Sequence, residues 1–332
     1  MPSPQKTALV TGGAGFIGSH LVDELVRRRY RVRVLDNLCN GKRENLRIDA
    51  AEARVEFIKG DVTRPADLDR AMEGARTVFH LACLGVRHSL AHPEENHHVN
   101  ALGTLRTLEA ARRHKVRRFV YCSSSEVYGT ARTTPMKEEH PTHPCTVYGA
   151  GKLAGESYAR AFFLSYGLPA VIIRPFNTYG PRSHHEGDAG EMIPKSIVRT
   201  LAGEDIVIFG DGSQTRDFTY VTDSARGLAM AAADERLVGK TFNLGTGRSY
   251  TILQIARMVR DAALKPRHPI LLTPGRPGDV LALEADAARF KRATGWRPRV
   301  GFADGLRQTV DFFAGHPLGI RELAGQQKAR NW

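Results

Sequence analysis

The stretch Thr11-Gly12-Gly13-Ala14-Gly15-Phe16-Ile17-Gly18 decides the fold. It follows the apolar run of residues 8–10 and opens a stretch over 16–29 with helical periodicity, so a strand passes into a helix across three spaced glycines. Each glycine has its own physical reason. Gly12 permits a tight turn, Gly15 lets backbone come close to a pyrophosphate, and Gly18 allows close packing of the helix. The amide groups and dipole at the helix start favour an anion. Three glycines alone also describe an ordinary loop, and it is the setting between strand and helix that selects dinucleotide binding.

Up to about residue 174, short β-branched runs alternate with longer amphipathic stretches. Strands are expected over 7–10, 32–35, 55–58, 77–81, 119–123 and 170–173, and helices over 16–29, 65–72, 99–114 and 148–166. That alternation builds βαβ units and predicts a doubly wound parallel Rossmann sheet, with its ligand across the carboxyl ends of the strands. After Pro175 the rhythm breaks. Loops rich in Gly, Pro and His separate helices expected over 193–202, 221–233, 252–263 and 305–313 and a strand near 240–244. We therefore expect an NAD-binding domain over 1–175, a smaller C-terminal α/β substrate lobe over 176–320 interleaved with it, and a flexible tail over 321–332.

Asp36 closes the second expected strand, 24 residues after Gly12, near the offset at which an acid meets the adenosine ribose. A carboxylate there repels a 2′-phosphate and favours NAD over NADP, while Lys42 and Arg43 nearby pull the other way. Asp61 and Val62 follow the third strand, where they either flank an adenine or start the next helix as a cap. Tyr148 and Lys152 stand four apart and share a helix face. A strand of the same sheet ends in Ser123-Ser124-Ser125-Glu126. The ammonium lowers the phenol's pKa, so Tyr148 can take a hydroxyl proton as hydride leaves for NAD, with Ser124 bonded to the same oxygen. The plainer reading is that the serines cap a strand end and Tyr148 packs as an ordinary helix aromatic.

Other features set bounds. The chain has 332 residues, 42% of them hydrophobic, and a net charge of +13 from 48 basic and 35 acidic side chains. Such an excess suits a polyanionic partner, but the cations are scattered and no basic tail exists, so we expect no nucleic acid partner. Cys39, Cys83, Cys122 and Cys145 form no Cys-x-x-Cys pair and are expected to be reduced thiols. The first apolar run is only a strand long, so we expect no membrane segment and a cytoplasmic location. His97, His98, His184 and His185 lack converging carboxylates or thiols and are read as structural, with no metal.

The chain resembles the extended short-chain dehydrogenase/reductases that modify nucleotide-diphosphate sugars. The resemblance rests on TGGAGFIGSH from Thr11, DNLCNGK from Asp36, GDV from Gly60, HLA from His80, SSSEVYG from Ser123, YGAGK from Tyr148, RPFNTYGPR from Arg174, TRDFTYV from Thr215 and GRPGD from Gly275. It implies NAD contacts at Phe16, Ile17, Asp36, Asn37, Asn40, Asp61, Val62, Leu81, Ala82 and Asn100, besides Tyr148 and Lys152. It implies a catalytic set of Ser124, Tyr148 and Lys152, and substrate contacts at Ser125, Asn177, Arg216, Arg276 and Asp279. Forked guanidinium donors suit a diphosphate, although lone arginines are commonly surface groups.

Members of this group oxidise carbon 4 of the sugar first. Glu126 then discriminates: a 4-keto group acidifies carbon 5, and a carboxylate aimed there acts as the base of a 4,6-dehydratase. GDP-mannose 4,6-dehydratases are similar at this segment, whereas the Thr-Asp-Glu of dTDP-glucose dehydratases has Ser125 in place of its acid. A 4-epimerase such as those of UDP-glucose and UDP-galactose needs no such base. UDP-glucuronate decarboxylases are also similar, but Asp217 beside Arg216 is expected to disfavour a carboxylate substrate. Dehydration is placed first, 4-epimerisation second and decarboxylation third, with a UDP-sugar as the expected substrate. Outside enzymes, the alternative is an NAD-binding protein without turnover. The helices over 99–114 and 148–166 match, by the same resemblance, a homodimer interface.

Overall fold

The computed structural model describes residues 6–46, 54–275 and 279–328. Its strands in chain order are β1 Thr7–Thr11, β2 Arg31–Asp36, β3 Val55–Lys59, β4 Thr77–His80, β5 Arg118–Cys122, β6 Ala170–Pro175, β7 Asn177–Tyr179, β8 Ile206–Phe209, β9 Thr215–Tyr220, β10 Thr241–Leu244, β11 Ser249–Thr251, β12 Ile270–Thr273 and β13 Ala282–Leu283. The helices are α1 Phe16–Arg27, α2 Pro65–Met72, α3 Val86–Ala91, α4 Pro93–His97, α5 Gly103–Arg113, α6 Val147–Tyr166, α7 Met192–Ala202, α8 Val221–Ala233, α9 Ile252–Ala262, α10 Ala288–Thr294, α11 Phe302–Ala314 and α12 Ile320–Gly325.

Seven parallel strands form the main sheet in the order β10-β6-β5-β4-β1-β2-β3. The order reverses between β1 and β4, and a doubly wound sheet opens its ligand crevice at such a point. Near-continuous apolar strands such as the wholly buried Phe119-Val120-Tyr121 require cover on both faces. Leu21 and Leu25 of α1 and Leu228 of α8 cover one face. Leu68 of α2, Leu108 of α5 and Phe162 of α6 cover the other.

β10 was expected in the substrate lobe and instead extends the main sheet beside β6, pairing Thr241 with Ile172 and Leu244 with Pro175. The chain thus returns to its first half after residue 200, and α8 packs on that half as well. β7, β9, β11 and β13 make a second, four-stranded sheet, and β8 pairs with β12. Helices α7, α9, α11 and α12 pack around these strands on a separate core that includes Ile197, Val259, Val310 and Leu323. The tail expected to be flexible is ordered as far as it is described: Leu323 of α12 is fully buried, and the Gln326 carbonyl accepts the Gly187 amide at 3.0 Å. Apolar burial of one leucine is what the tail's polar composition concealed. The helix expected over 99–114 is present as part of a longer helical run over 93–113, in which residues His98–Leu102 form a π-helical turn between α4 and α5.

Candidate active site

One cavity of about 510 Å³ opens at the carboxyl ends of the main strands and continues under the second sheet. Its first wall is the glycine loop. Gly12 has φ +68°, and a Cβ there would stand 2.7 Å from the Ala82 amide nitrogen. A Cβ on Gly18 would run into the Gly12 carbonyl. These two positions exclude side chains on internal grounds, whereas a Cβ on Gly15 would meet only the Gly12 carbonyl oxygen, at 3.2 Å. Gly15 lines the cavity, so its bareness serves what enters from that side.

Asp36 ends β2 at the cavity wall, and its two oxygens accept the amides of Ala14 at 2.9 Å and Leu38 at 2.8 Å. Burial raises its carboxyl above the ordinary value, and those two amides oppose the rise. Each oxygen retains acceptor capacity for a ribose hydroxyl. Lys42 pairs with Glu186 at 2.8 Å, and the Arg43 guanidinium lies over the Phe57 ring. The two cations that favoured a 2′-phosphate therefore have other partners, and the residues fit NAD.

Asp61 is not a helix cap. Its carboxylate accepts the Thr63 amide and hydroxyl, both at 2.7 Å, and the Asn37 amide at 2.9 Å, tying the ends of β2 and β3 together at the cavity. Phe16, Ile17, Asn40, Val62, Leu81 and Ala82 line the same wall. Asn100 does not reach it. Its side chain is spent on both backbone groups of Leu84 and on Asn96, so it supports the loop after β4 from behind.

His80, at the end of β4, shows how this half is held. Nδ1 lies 2.7 Å from the Thr11 hydroxyl and Nε2 lies 3.0 Å from that of Thr104. The Thr104 hydroxyl donates to the Asn100 carbonyl, so it accepts from Nε2–H, and Nδ1 accepts from Thr11. Burial, with the Lys152 charge adding to it, brings the imidazole down to about 3, and the ring is neutral.

The residues expected to be catalytic meet where β5 ends against the start of α6. Thr146 caps α6 by accepting the Gly149 amide, which sets Tyr148 in the first turn and Lys152 one turn on. Lys152 is buried and donates to the Cys122 carbonyl at 2.9 Å, with Nζ 5.9 Å from the centre of the Tyr148 ring. Ser124 hydrogen-bonds Tyr148 and accepts the Glu126 amide at 3.2 Å, capping the short turn Ser125–Val127. Ser124, Ser125, Glu126, Tyr148 and Lys152 all line the cavity. Burial pushes the Tyr148 phenol above its ordinary value, while Lys152 and Ser124 act in the opposite direction. The lysine effect expected from the spacing is present, and burial exceeds it.

At the far end, Arg216 donates to Asp279 at 3.0 Å, and both line the cavity with Asn177. Asn177 Oδ1 and Gln214 Oε1 are buried acceptors with no hydrogen-bond partner among the described residues. Such acceptors, beside an arginine, suit a polar ligand with donors of its own. Arg276 lies outside the described residues. Asp217 does not face the cavity: it is fully buried and accepts the amides of Thr246, Gly247 and Ala285. It therefore does not stand on the cavity wall beside Arg216, contrary to the expectation from sequence. His184 and His185 turn to Glu186.

Sequence reading missed Gln214, Arg87 and Glu191, which also line the cavity. Gln214 stands two residues before Arg216, and that strand parity was the available signal. Arg87 and Glu191 carried none: they come from segments about a hundred residues apart, and burial raises the Glu191 carboxyl while the nearby His184 and Arg87 oppose the rise.

Residues 8–245 match the family model described as NAD dependent epimerase/dehydratase family. The chain is 38% identical over 92% of its length to a UDP-glucose 4-epimerase of Mycolicibacterium smegmatis, covering 97% of that protein. It is 34% identical to a dTDP-glucose 4,6-dehydratase of Actinoplanes, covering 92% of this chain and 97% of that one. It is equally 34% identical to UDP-glucuronic acid decarboxylase 1 of Arabidopsis thaliana, covering 96% of this chain and 72% of that one. Among solved structures, the UDP-glucose 4-epimerase of Thermus thermophilus in complex with NAD superposes with a TM-score of 0.86 at 36% identity, covering 93% of this chain and 99% of that one. The likeness runs through both halves of the cavity and not through the glycine loop alone, so the chain belongs to the NAD-dependent epimerase/dehydratase family and is an NAD-dependent enzyme.

Proposed function

We propose that the enzyme oxidises carbon 4 of a nucleotide-diphosphate sugar, with a UDP-sugar as substrate, and that Glu126 then removes the carbon-5 proton, giving 4,6-dehydration. The observation that carries this reading is the placement of Glu126 on the turn capped by Ser124, on the same cavity as Tyr148 and Lys152. Tyr148 takes the proton of the 4-hydroxyl, and the buried Lys152 ammonium favours the phenolate that accepts it. The chemistry NAD supplies when bound is the removal and return of one hydride. The 4-keto group acidifies carbon 5, the Glu126 carboxylate takes that proton, and the 6-hydroxyl leaves as water. The 5,6-alkene so formed takes the hydride back at carbon 6 and a solvent-derived proton at carbon 5. Ser125 offers no acid, and the proton gained by Glu126 is available to the leaving group. Arg216 and Asn177 bind the diphosphate side, with the guanidinium matched to phosphate oxygens.

A second reading, 4-epimerisation, is favoured by the 38% identity to the M. smegmatis epimerase and by Ser125 standing where an acid would serve elimination. Glu126 would then hydrogen-bond the sugar. The test is incubation with UDP, dTDP, GDP and CDP sugars in deuterium oxide, followed by mass spectrometry and proton NMR. Loss of water with deuterium at carbon 5 supports the dehydratase. Unchanged mass, inversion at carbon 4 and no deuterium overturn it for the epimerase, loss of carbon dioxide for a decarboxylase, and bound NAD without conversion for a non-catalytic binder.

We also infer a cytoplasmic homodimer formed through α5 and α6. Support comes from Leu164, 67% exposed, and Tyr166, 55% exposed, on α6, with the Arg112 guanidinium of α5 4.2 Å above the Tyr166 ring. Light scattering of the purified protein tests this, and a monomeric mass rejects it. No helix among the described residues is long and apolar enough to cross a membrane.

A further inference from the structure

Behind the cavity wall runs a buried polar chain, of which Ser123 lines the cavity and Glu156, Arg174, Tyr128 and Asn243 do not. Glu156 stands one turn beyond Lys152 on α6 and is 5% exposed, and Arg174, near the end of β6, is 6% exposed. Glu156 Oε1 accepts the Ser123 hydroxyl at 2.5 Å and Arg174 Nε at 2.8 Å, and its Oε2 accepts Arg174 Nη2 at 2.6 Å. Arg174 Nη1 turns the other way and donates to the Tyr128 hydroxyl at 2.8 Å and to the Glu138 carbonyl at 3.1 Å. Tyr128 donates onward to Asn243 Oδ1 at 2.6 Å, and Asn243 Nδ2 donates to the carbonyls of Met136 and Asp286. Burial pushes the Tyr128 phenol up to about 12, so it keeps its proton and serves as that donor.

The chain has two arms with different attachments. The Glu156 arm joins α6 to the end of β5, the two elements that carry Tyr148, Lys152 and Ser124. The Tyr128 arm joins β6 and β10 to the turn Ser125–Val127, since the Tyr128 amide donates to the Ser125 carbonyl at 3.1 Å. Val127 and Tyr128 are anchored in a small apolar cluster with Met136, Phe176 and Leu283. A buried charge pair is weak evidence for stability, and its better-attested use is to fix one geometry.

We propose that Tyr128, held by Arg174 and Asn243, is a positioning residue for Glu126 and serves the step after carbon-4 oxidation. This rests on the reading of Glu126 as the carbon-5 base. An ordered turn keeps the carboxylate within reach of carbon 5, and a displacement of about 1 Å can cost about a hundredfold in rate.

Tyr128→Phe keeps the ring in its apolar cluster and removes the hydroxyl that Arg174 and Asn243 share. With substrate added to the NAD-loaded enzyme, NADH forms on the variant at the wild-type rate. Deuterium uptake at carbon 5 and product release fall about tenfold to a hundredfold, KM is unchanged, and bound NADH accumulates. Equal loss in both half-reactions, or in neither, overturns the proposal. Should Tyr128→Phe not fold, Arg174→Lys gives the same reading, because an ammonium can stay with Glu156 but lacks the fork that reaches Tyr128 as well. The wild type separates the two claims. If it takes up no deuterium at carbon 5, the Glu126 reading fails and this proposal with it; if it does and the variants match it, only the positioning role fails.

Discussion

The cofactor half and the substrate half of the cavity hold their polar groups in different ways. In the first, backbone amides hold the carboxylate that faces the cofactor and the hydroxyl behind the glycine loop. Asp36 accepts two amides, and Thr11 accepts those of Leu81 at 3.2 Å and Ala82 at 3.3 Å. In the second, side chains from distant segments hold one another, as Arg216 meets Asp279 across 63 residues, and outside the cavity lining Lys42 meets Glu186. Although burial alone would raise it, hydrogen bonds from His184, His185 and Lys42 hold the Glu186 carboxyl well below its ordinary value. Groups fixed by backbone are preorganised and cost little rearrangement when the reaction develops charge. Groups fixed by side chains can change partners, which suits a pocket whose ligand differs between relatives while the cofactor does not.

The sharpest way to break this division is Tyr148→Phe. If the first step belongs to the preorganised half, NADH formation on the enzyme falls by about a thousandfold, followed as absorbance after substrate is added. Unimpaired reduction would remove the assignment. Next in size is Glu126→Gln, for which product formation drops by about a hundredfold while NADH still forms. Product at near wild-type rate from a folded variant would sink dehydration.

A stability experiment probes the cofactor half without catalysis. The folded value of His80, about 3, lies below its unfolded 6.5, so the folded state binds fewer protons between them. The stability contributed by neutral His80 is therefore fully present above pH 6.5 and is lost as the pH falls toward 3. Acidification to about pH 5 should cost about 2 kcal/mol in urea unfolding, and His80→Gln should flatten that slope. An unchanged slope would show that His80 is not the group responsible. The smallest effect is expected in the side-chain-held half. Arg216→Lys keeps the charge but not the fork, and we expect KM to rise about tenfold with little change in kcat. A fall in kcat instead would mean that Arg216 acts on the transition state.

Legibility followed the same division. Gly12, Asp36, Tyr148 and Lys152 sit at fixed offsets within single βα units, where chain spacing and spatial position are nearly the same information. Asn100 shared that regularity yet lies behind the wall, because the π-helical turn His98–Leu102 places its amide against the Leu84 loop. Asp217 was misjudged for a different reason: sequence adjacency to Arg216 says nothing about direction, and alternate residues of β9 point to opposite sides.

By itself the sequence determined the parallel sheet and the NAD-dependent family, and it named the residues that meet on one cavity, because strand and helix periodicity and glycine spacing are local properties of the chain. Tertiary structure alone decided that residues 241–244 close the main sheet, that Arg216 meets Asp279, and that one buried chain from Ser123 to Asn243 joins the turn next to Glu126 to the sheet. Those pairings join segments far apart in sequence, and only burial of the whole core brings them within reach of one another.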